Sequence, residues 1–127
     1  MMSIRVLIVD DMAQVRSDLR TVLPLAGQAA GLQVDVVGEA GDGQEAIWQA
    51  EALRPDAVVM DLEMPVMDGY QATHEIKARY PACRVIALTV HGYEAARQKA
   101  IQAGVDVFIV KGAPVETLVQ AISERKE

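Results

Sequence analysis

Ile4-Arg5-Val6-Leu7-Ile8-Val9-Asp10-Asp11 is an apolar run closed by two acids. A second run, Ala57-Val58-Val59-Met60, is closed in the same way by Asp61. Continuous Val/Ile/Leu stretches of this length suit strands covered on both faces, as in a parallel sheet. Two such strands side by side would gather Asp10, Asp11 and Asp61 at one edge of the sheet. Carboxylates at close range repel one another unless a cation lies among them. The pattern therefore points to a divalent-metal site in which one carboxylate is free to do chemistry.

Outward from these runs, strand-length apolar segments alternate with helix-period ones. Val15, Leu19, Val22 and Leu23 share one helix face, and Pro24, Gly27 and Gly31 then disturb the pattern. Val34-Asp35-Val36-Val37 reads as a second strand. Gly41-Asp42-Gly43 leads into a helix with Ala46, Ile47, Ala50 and Leu53 inward, stopped by Arg54-Pro55. Beyond Asp61, Met64-Pro65-Val66-Met67-Asp68-Gly69 is a loop whose Asp68 can cap a helix with Ala72, Ile76 and Tyr80 inward. Pro81 ends that helix, and Arg84-Val85-Ile86-Ala87-Leu88 is a fourth strand stopping at Thr89. A helix over residues 93–103 stops at Gly104, and Val107-Phe108-Ile109-Val110 is a fifth strand followed by Lys111. Pro114 suits the first turn of a last helix that buries Val115, Leu118, Val119 and Ile122.

Strand-helix alternation throughout means an α/β domain, a doubly wound parallel sheet of five strands with helices on both faces. The 127 residues suffice for one domain with a real core, and no linker or repeat divides residues 1–127. Apolar residues make up 51%, too many for a disordered chain. No apolar run approaches the ~20 residues of a membrane span. Met1-Met2-Ser3 runs straight into the first strand, so no signal peptide is expected. Cys83 is the one cysteine, which fits a reducing cytoplasmic setting. A formal charge of -6 disfavours direct nucleic-acid contact by this domain.

Asp10, Asp11, Asp61, Thr89 and Lys111 all stand at C-terminal ends of expected strands, the edge where open α/β sheets bind ligands. Carboxylates in this number suit a hard cation such as Mg²⁺ or Mn²⁺, which commonly bridges a carboxylate and a phosphate. Lys111 offers a compact positive charge for phosphoryl oxygens, and Thr89 offers a hydroxyl. A carboxylate can attack phosphorus to give an acyl phosphate.

At these residues the chain resembles the receiver domains of bacterial two-component response regulators. The likeness rests on Asp10-Asp11, the stretch Met60-Asp61-Leu62-Glu63-Met64-Pro65-Val66-Met67-Asp68-Gly69, Leu88-Thr89 and Phe108-Ile109-Val110-Lys111. It runs over residues 4–122 and implies a flavodoxin-like, three-layer (βα)5 sandwich with strand order 2-1-3-4-5. It implies that Asp61 accepts a phosphoryl group from a phosphohistidine of a sensor histidine kinase or phosphotransfer protein. Asp10, Asp11, Asp61 and the backbone carbonyl of Glu63 would hold Mg²⁺. Lys111 would pair with the phosphoryl group, and Thr89 would bond to it and move. Phe108 stands where the family keeps a switching aromatic, more commonly a tyrosine. The surface that changes would be the fourth helix, fifth strand and fifth helix.

Leu88-Thr89-Val90, Lys111-Gly112-Ala113 and Val37-Gly38-Glu39-Ala40 resemble receivers that precede LuxR-type (NarL/FixJ-like) output domains, which implies control of transcription. No such output segment is legible after the last helix. By the same resemblance a homodimer and a downstream partner are expected, and the stretch around residues 24–33 is several residues longer than usual.

Two other readings compete. A free-standing receiver would act on a partner protein without a DNA-binding output. An aspartate-nucleophile phosphatase would also use Mg²⁺, threonine and lysine. Such enzymes place Asp-x-Asp after the first strand and carry a cap, whereas here Asp61-Leu62-Glu63 follows the third strand and no cap insertion exists. Taken singly, the bland readings stand for other residues: His74 as a solvated helix residue, Trp48 as a rim aromatic, Cys83 as a small filler.

Overall fold

The computed structural model describes residues 3–124, so the reading of Met1-Met2 lies outside the described residues. Five strands and five helices alternate: β1 (Ser3–Val9), α1 (Ala13–Ala29), β2 (Gln33–Ala40), α2 (Gly43–Leu53), β3 (Ala57–Met60), α3 (Gly69–Arg79), β4 (Arg84–Thr89), α4 (Glu94–Ala103), β5 (Val107–Val110) and α5 (Val115–Ser123). The strands form one parallel sheet in the order β2-β1-β3-β4-β5. Among the described residues no helix is long and apolar enough to cross a membrane.

Alternation along the strands divides the core into two layers, because successive side chains point to opposite faces. Leu7, Val9, Val58, Met60, Val85 and Ala87 face α2, α3 and α4 through Ala46, Ile47, Ala50, Ala72, Ile76 and Ala100. Val6, Ile8, Ala57, Val59, Ile86 and Ile109 face α1 and α5 through Leu23, Leu118, Val119 and Ile122. Residues 6–9 of β1, all of β3 and residues 85–87 of β4 are buried on both faces, which is why they read as unbroken apolar runs.

Local signals end the elements where the residue chemistry demands. Asp42 and Asp68 cap α2 and α3, their side chains accepting from the N–H of Glu45 at 2.8 Å and of Gln71 at 2.9 Å. Gly104 closes α4 in the left-handed region at φ 106°. Pro114 precedes the helical residues of α5 as its cap rather than lying in its first turn.

Three segments differ from the sequence reading. The residues around Pro24 form no long connection: α1 runs through Pro24 to Ala29, and the extra length is helix. A proline inside a helix forgoes one backbone bond, but Leu23 and Gly27 on either side are buried and keep the helix seated. Val22, placed on the inward face by periodicity, is 39% exposed beside the half-buried Leu19. Tyr80 lies past the end of α3, half-buried, with the Arg54 guanidinium 4.3 Å over its ring.

β2 is also longer than its apolar core suggests, and it contains a bulge. Val36 pairs with Val6 but Gly38 pairs with Leu7, so Val37 is an extra residue. Val34 and Val36 lie in the α1/α5 layer, whereas Ala40 lies in the α2–α4 layer. The bulge therefore turns the second half of the strand over, and Glu39 faces α1.

Candidate functional site

The C-terminal edge of the sheet collects the polar residues singled out above. Asp10 and Asp61 extend the ladder one residue past adjacent strands: the Asp61 N–H donates to the Val9 carbonyl at 2.9 Å and the Asp10 N–H to that of Ala40 at 3.1 Å. Asp10 Oδ1 accepts the Met12 N–H at 2.9 Å, a local turn that leads the chain into α1. Asp10 and Asp61 are buried and Asp11 is exposed, yet one oxygen from each of the three carboxylates lies within 4.8 Å of the others. Oxygen donors in this number and spacing are the chemistry a hard divalent cation requires.

Lys111 reaches this cluster from the end of β5. Its Nζ lies 2.8 Å from Asp10 Oδ2 and 3.9 Å from Asp61 Oδ2. Burial, helped by the negative charge of Asp10, pushes the Asp61 carboxyl up to about 6, against the pull of Lys111. Asp61 is thus a carboxylate whose charge is costly in the metal-free protein. Positive charge beside it, from a cation or an ammonium, relieves that cost.

The remaining residues surround the cluster. Thr89 is buried, its Oγ1 accepts the His91 N–H at 3.1 Å, and its carbonyl accepts the Lys111 N–H at 2.7 Å. The hydroxyl hydrogen of Thr89 therefore stays available for donation. The Glu63 N–H donates to Asp61 Oδ1 at 3.4 Å, while the Glu63 side chain leaves the cluster and meets His91 Nε2 at 3.0 Å. Phe108 is half-buried against the α2–α4 layer and is not one of the cluster's residues. His74 and Trp48 are exposed, and burial pushes the Cys83 thiol up to about 11, which keeps it protonated and inert at neutral pH.

Sequence reasoning missed two supports of the site. Arg16 Nη1 donates to the Asp10 carbonyl at 2.7 Å, and Arg16 Nε lies 3.1 Å from Glu39, whose other oxygen binds Arg20 at 2.6 Å. The signal was present: a cation in the first turns of a helix opposes the helix dipole and asks for a partner. Gly69, the first residue of α3, is the second support. A Cβ there would lie 2.1 Å from the Asp61 carbonyl oxygen, so only glycine lets α3 start this close to the acid.

Comparison with known proteins agrees with this geometry. Residues 6–123 match the family described as the response regulator receiver domain. The chain is 39% identical over 119 residues to the response regulator GacA of Pseudomonas viridiflava, covering 94% of this chain and 53% of that protein. It is 37% identical over 121 residues to the response regulator protein VraR of Staphylococcus aureus, covering 95% and 56%. The chain thus spans about half the length of these curated relatives. Among solved structures, a LuxR-family two-component response regulator from Aurantimonas sp. SI85-9A1 superimposes with a TM-score of 0.84 at 34% identity, covering 95% of this chain and 83% of that one. The CheX-CheY-BeF3-Mg²⁺ complex from Borrelia burgdorferi matches with a TM-score of 0.79 at 27% identity, covering 94% and 86%.

Proposed function

Because the chain belongs to the response regulator receiver domain family, we propose that it is a phosphorylation switch that takes a phosphoryl group onto Asp61. The observation that carries this reading is the meeting of Asp10, Asp11 and Asp61 within 4.8 Å, with Lys111 Nζ 2.8 Å from Asp10 and 3.9 Å from Asp61. The donor is a phosphohistidine on a sensor histidine kinase or phosphotransfer protein. An Asp61 oxygen forms the bond to phosphorus while the phosphorus–nitrogen bond breaks and the imidazole nitrogen keeps the electron pair.

The donor set fits Mg²⁺ or Mn²⁺: Asp10, Asp11 and Asp61 would hold the ion by their carboxylates and Glu63 by its backbone carbonyl. The ion, when bound, supplies positive charge that neutralises the acids and the phosphoryl oxygens. That a relative was solved with BeF3 and Mg²⁺ supports the same choice. Lys111 pairs with the phosphoryl group and orients it. Thr89 donates its free hydroxyl hydrogen to a phosphoryl oxygen, and its movement lets Phe108 change rotamer. The added charge, up to about two at neutral pH, shifts a two-state equilibrium of the α4–β5–α5 face.

Residues 1–127 act as a single receiver domain. The output in the full-length protein is transcriptional, a reading supported by LuxR-family relatives, one of which is described as DNA-binding. A downstream partner or a homodimer reads the switched face, while this acidic domain itself makes no nucleic-acid contact. The protein works in the cytoplasm.

The test is intact-protein mass spectrometry after incubation with Mg²⁺ and a small acyl phosphate. One added phosphoryl group is expected, and Asp61→Asn abolishes it. Steady turnover of a simple phosphoester would favour the phosphatase reading instead.

A further inference from the structure

We infer that Arg16 is a positioning residue for the acid pair, fixing Asp11 in the cation site through the Asp10–Asp11 peptide plane. The inference rests on the phosphorylation-switch reading and adds to it a residue outside the site's own motif.

Asp10 and Asp11 reach the cluster by different means. Asp10 is buried and held at every polar group. Its N–H donates to Ala40, Oδ1 accepts from Met12, Oδ2 meets Lys111, and its carbonyl accepts from Arg16. Asp11 is exposed, and an exposed carboxylate is normally free to turn into water. A peptide group is planar, so the Asp10 carbonyl and the Asp11 nitrogen and Cα lie in one plane. The 2.7 Å bond from Arg16 Nη1 to that carbonyl fixes the plane, and with it the direction in which Asp11 leaves the backbone.

Arg16 is in turn held by Glu39. The guanidinium is a rigid fork, and here one prong takes the Asp10 carbonyl while Nε takes Glu39. Arg20 binds the second Glu39 oxygen at 2.6 Å, and the two guanidinium groups hold the Glu39 carboxyl below the usual carboxylate range. Asp10 also takes the main-chain bond from its own N–H to Ala40, next in sequence to Glu39. The end of β2 therefore fixes Asp10 directly and Asp11 through Arg16.

Charge and geometry give opposite signs here, which makes the inference testable. Removing a cation beside three carboxylates, by Coulomb's law alone, tightens Mg²⁺ binding. Loss of the clamp lets Asp11 swing away and weakens it. Loss of an orienting partner outside a metal's direct ligands typically costs ~10–100-fold in affinity.

The experiment is calorimetric titration of Mg²⁺ into wild-type protein, Arg16→Met, Arg16→Lys and Arg20→Met, with circular dichroism as the check on folding. We expect Arg16→Met to bind about tenfold more weakly. Arg20→Met, which removes the same charge without touching Asp10, should bind no more weakly than wild type. In an Asp11→Asn background the effect of Arg16→Met should vanish. Equal or tighter binding by Arg16→Met, with wild type binding normally, overturns the inference and leaves the receiver reading intact. A wild-type protein that binds no Mg²⁺ overturns the receiver reading itself. If Arg16→Met does not fold, Arg16→Lys decides. It keeps the charge and loses the fork, so weaker binding supports the clamp and unchanged binding refutes it.

Discussion

The ammonium of Lys111 is bound to Asp10, at 2.8 Å, across 101 residues of sequence. The pair joins the ends of β1 and β5, strands that are not neighbours in the sheet. Asp10 is nearly fully buried and Lys111 mostly so, which makes this a desolvated pair rather than a surface contact.

Removing one partner of such a pair leaves a buried charge without its counter-ion. Lys111→Met should destabilise the Mg²⁺-free protein by roughly 3 kcal/mol. Saturating Mg²⁺ should recover much of that loss, because the cation answers the same carboxylates. Urea denaturation with and without the ion measures both effects. Mg²⁺ binding itself should survive, while the structural response to phosphorylation is lost.

Asp61 gives the metal-free protein a distinctive pH dependence. Its folded-state value, about 6, lies above the ordinary 3.8, so the folded protein holds that proton longer than the unfolded chain. Stability from this group therefore falls as pH rises between those values, and the penalty is complete above the higher one. Asp61→Asn should stabilise the metal-free protein near neutral pH by at most about 3 kcal/mol. Below about pH 4 the gain should disappear. Denaturation series at the two pH values check the sign.

Gly69 tests how closely α3 must approach the acceptor. In Gly69→Ala the methyl carbon would stand 2.1 Å from the Asp61 carbonyl and 2.8 Å from Leu62 Cα, both backbone atoms. The backbone must shift, at about 1–3 kcal/mol. Because the displaced residue carries the acceptor, the rate of phosphorylation should fall more than the loss of stability explains. Time-resolved intact mass, on protein kept well below its unfolding transition, separates the two.

The opposite end of the sheet supplies a contrast. Lys77 Nζ binds Asp106 Oδ2 at 2.9 Å and also the carbonyls of Pro81 and Cys83 at 3.0 and 2.9 Å. Lys77→Ala should cost about 3 kcal/mol, since Asp106 is buried. Mg²⁺ affinity and phosphorylation in the folded fraction should be unchanged. A thermal melt paired with calorimetry tests that separation.

The strands and the acids were legible for one reason. β1, β3 and β4 are largely covered on both faces, so burial wrote itself into composition, and the acids mark where that burial stops. Asp68 as a helix cap and Gly104 as a helix stop were legible because local backbone chemistry settles both. Pro24 misled because a local penalty was outweighed by the packing of Leu23 and Gly27, which no local rule contains. Asp106, with its side chain buried, is a structural acid the sequence does not announce, because its partner Lys77 is 29 residues away, a separation no local pattern spans. Arg16 signalled only that it needed a partner; which partner was not legible, because its bond goes to a main-chain oxygen, which carries no residue identity.

The extra residue at Val37 reaches further than the edge strand that contains it. Were β2 to run on from Val36 in strict alternation with Val37 paired like its neighbours, Glu39 would rotate into the oily layer beneath α2, out of reach of Arg16. Pairing in a peripheral strand, rather than residue type, thus decides whether an arginine on another element is aimed. The unpaired residue lets a strand whose count is odd by one still present its acid to the helix that needs it.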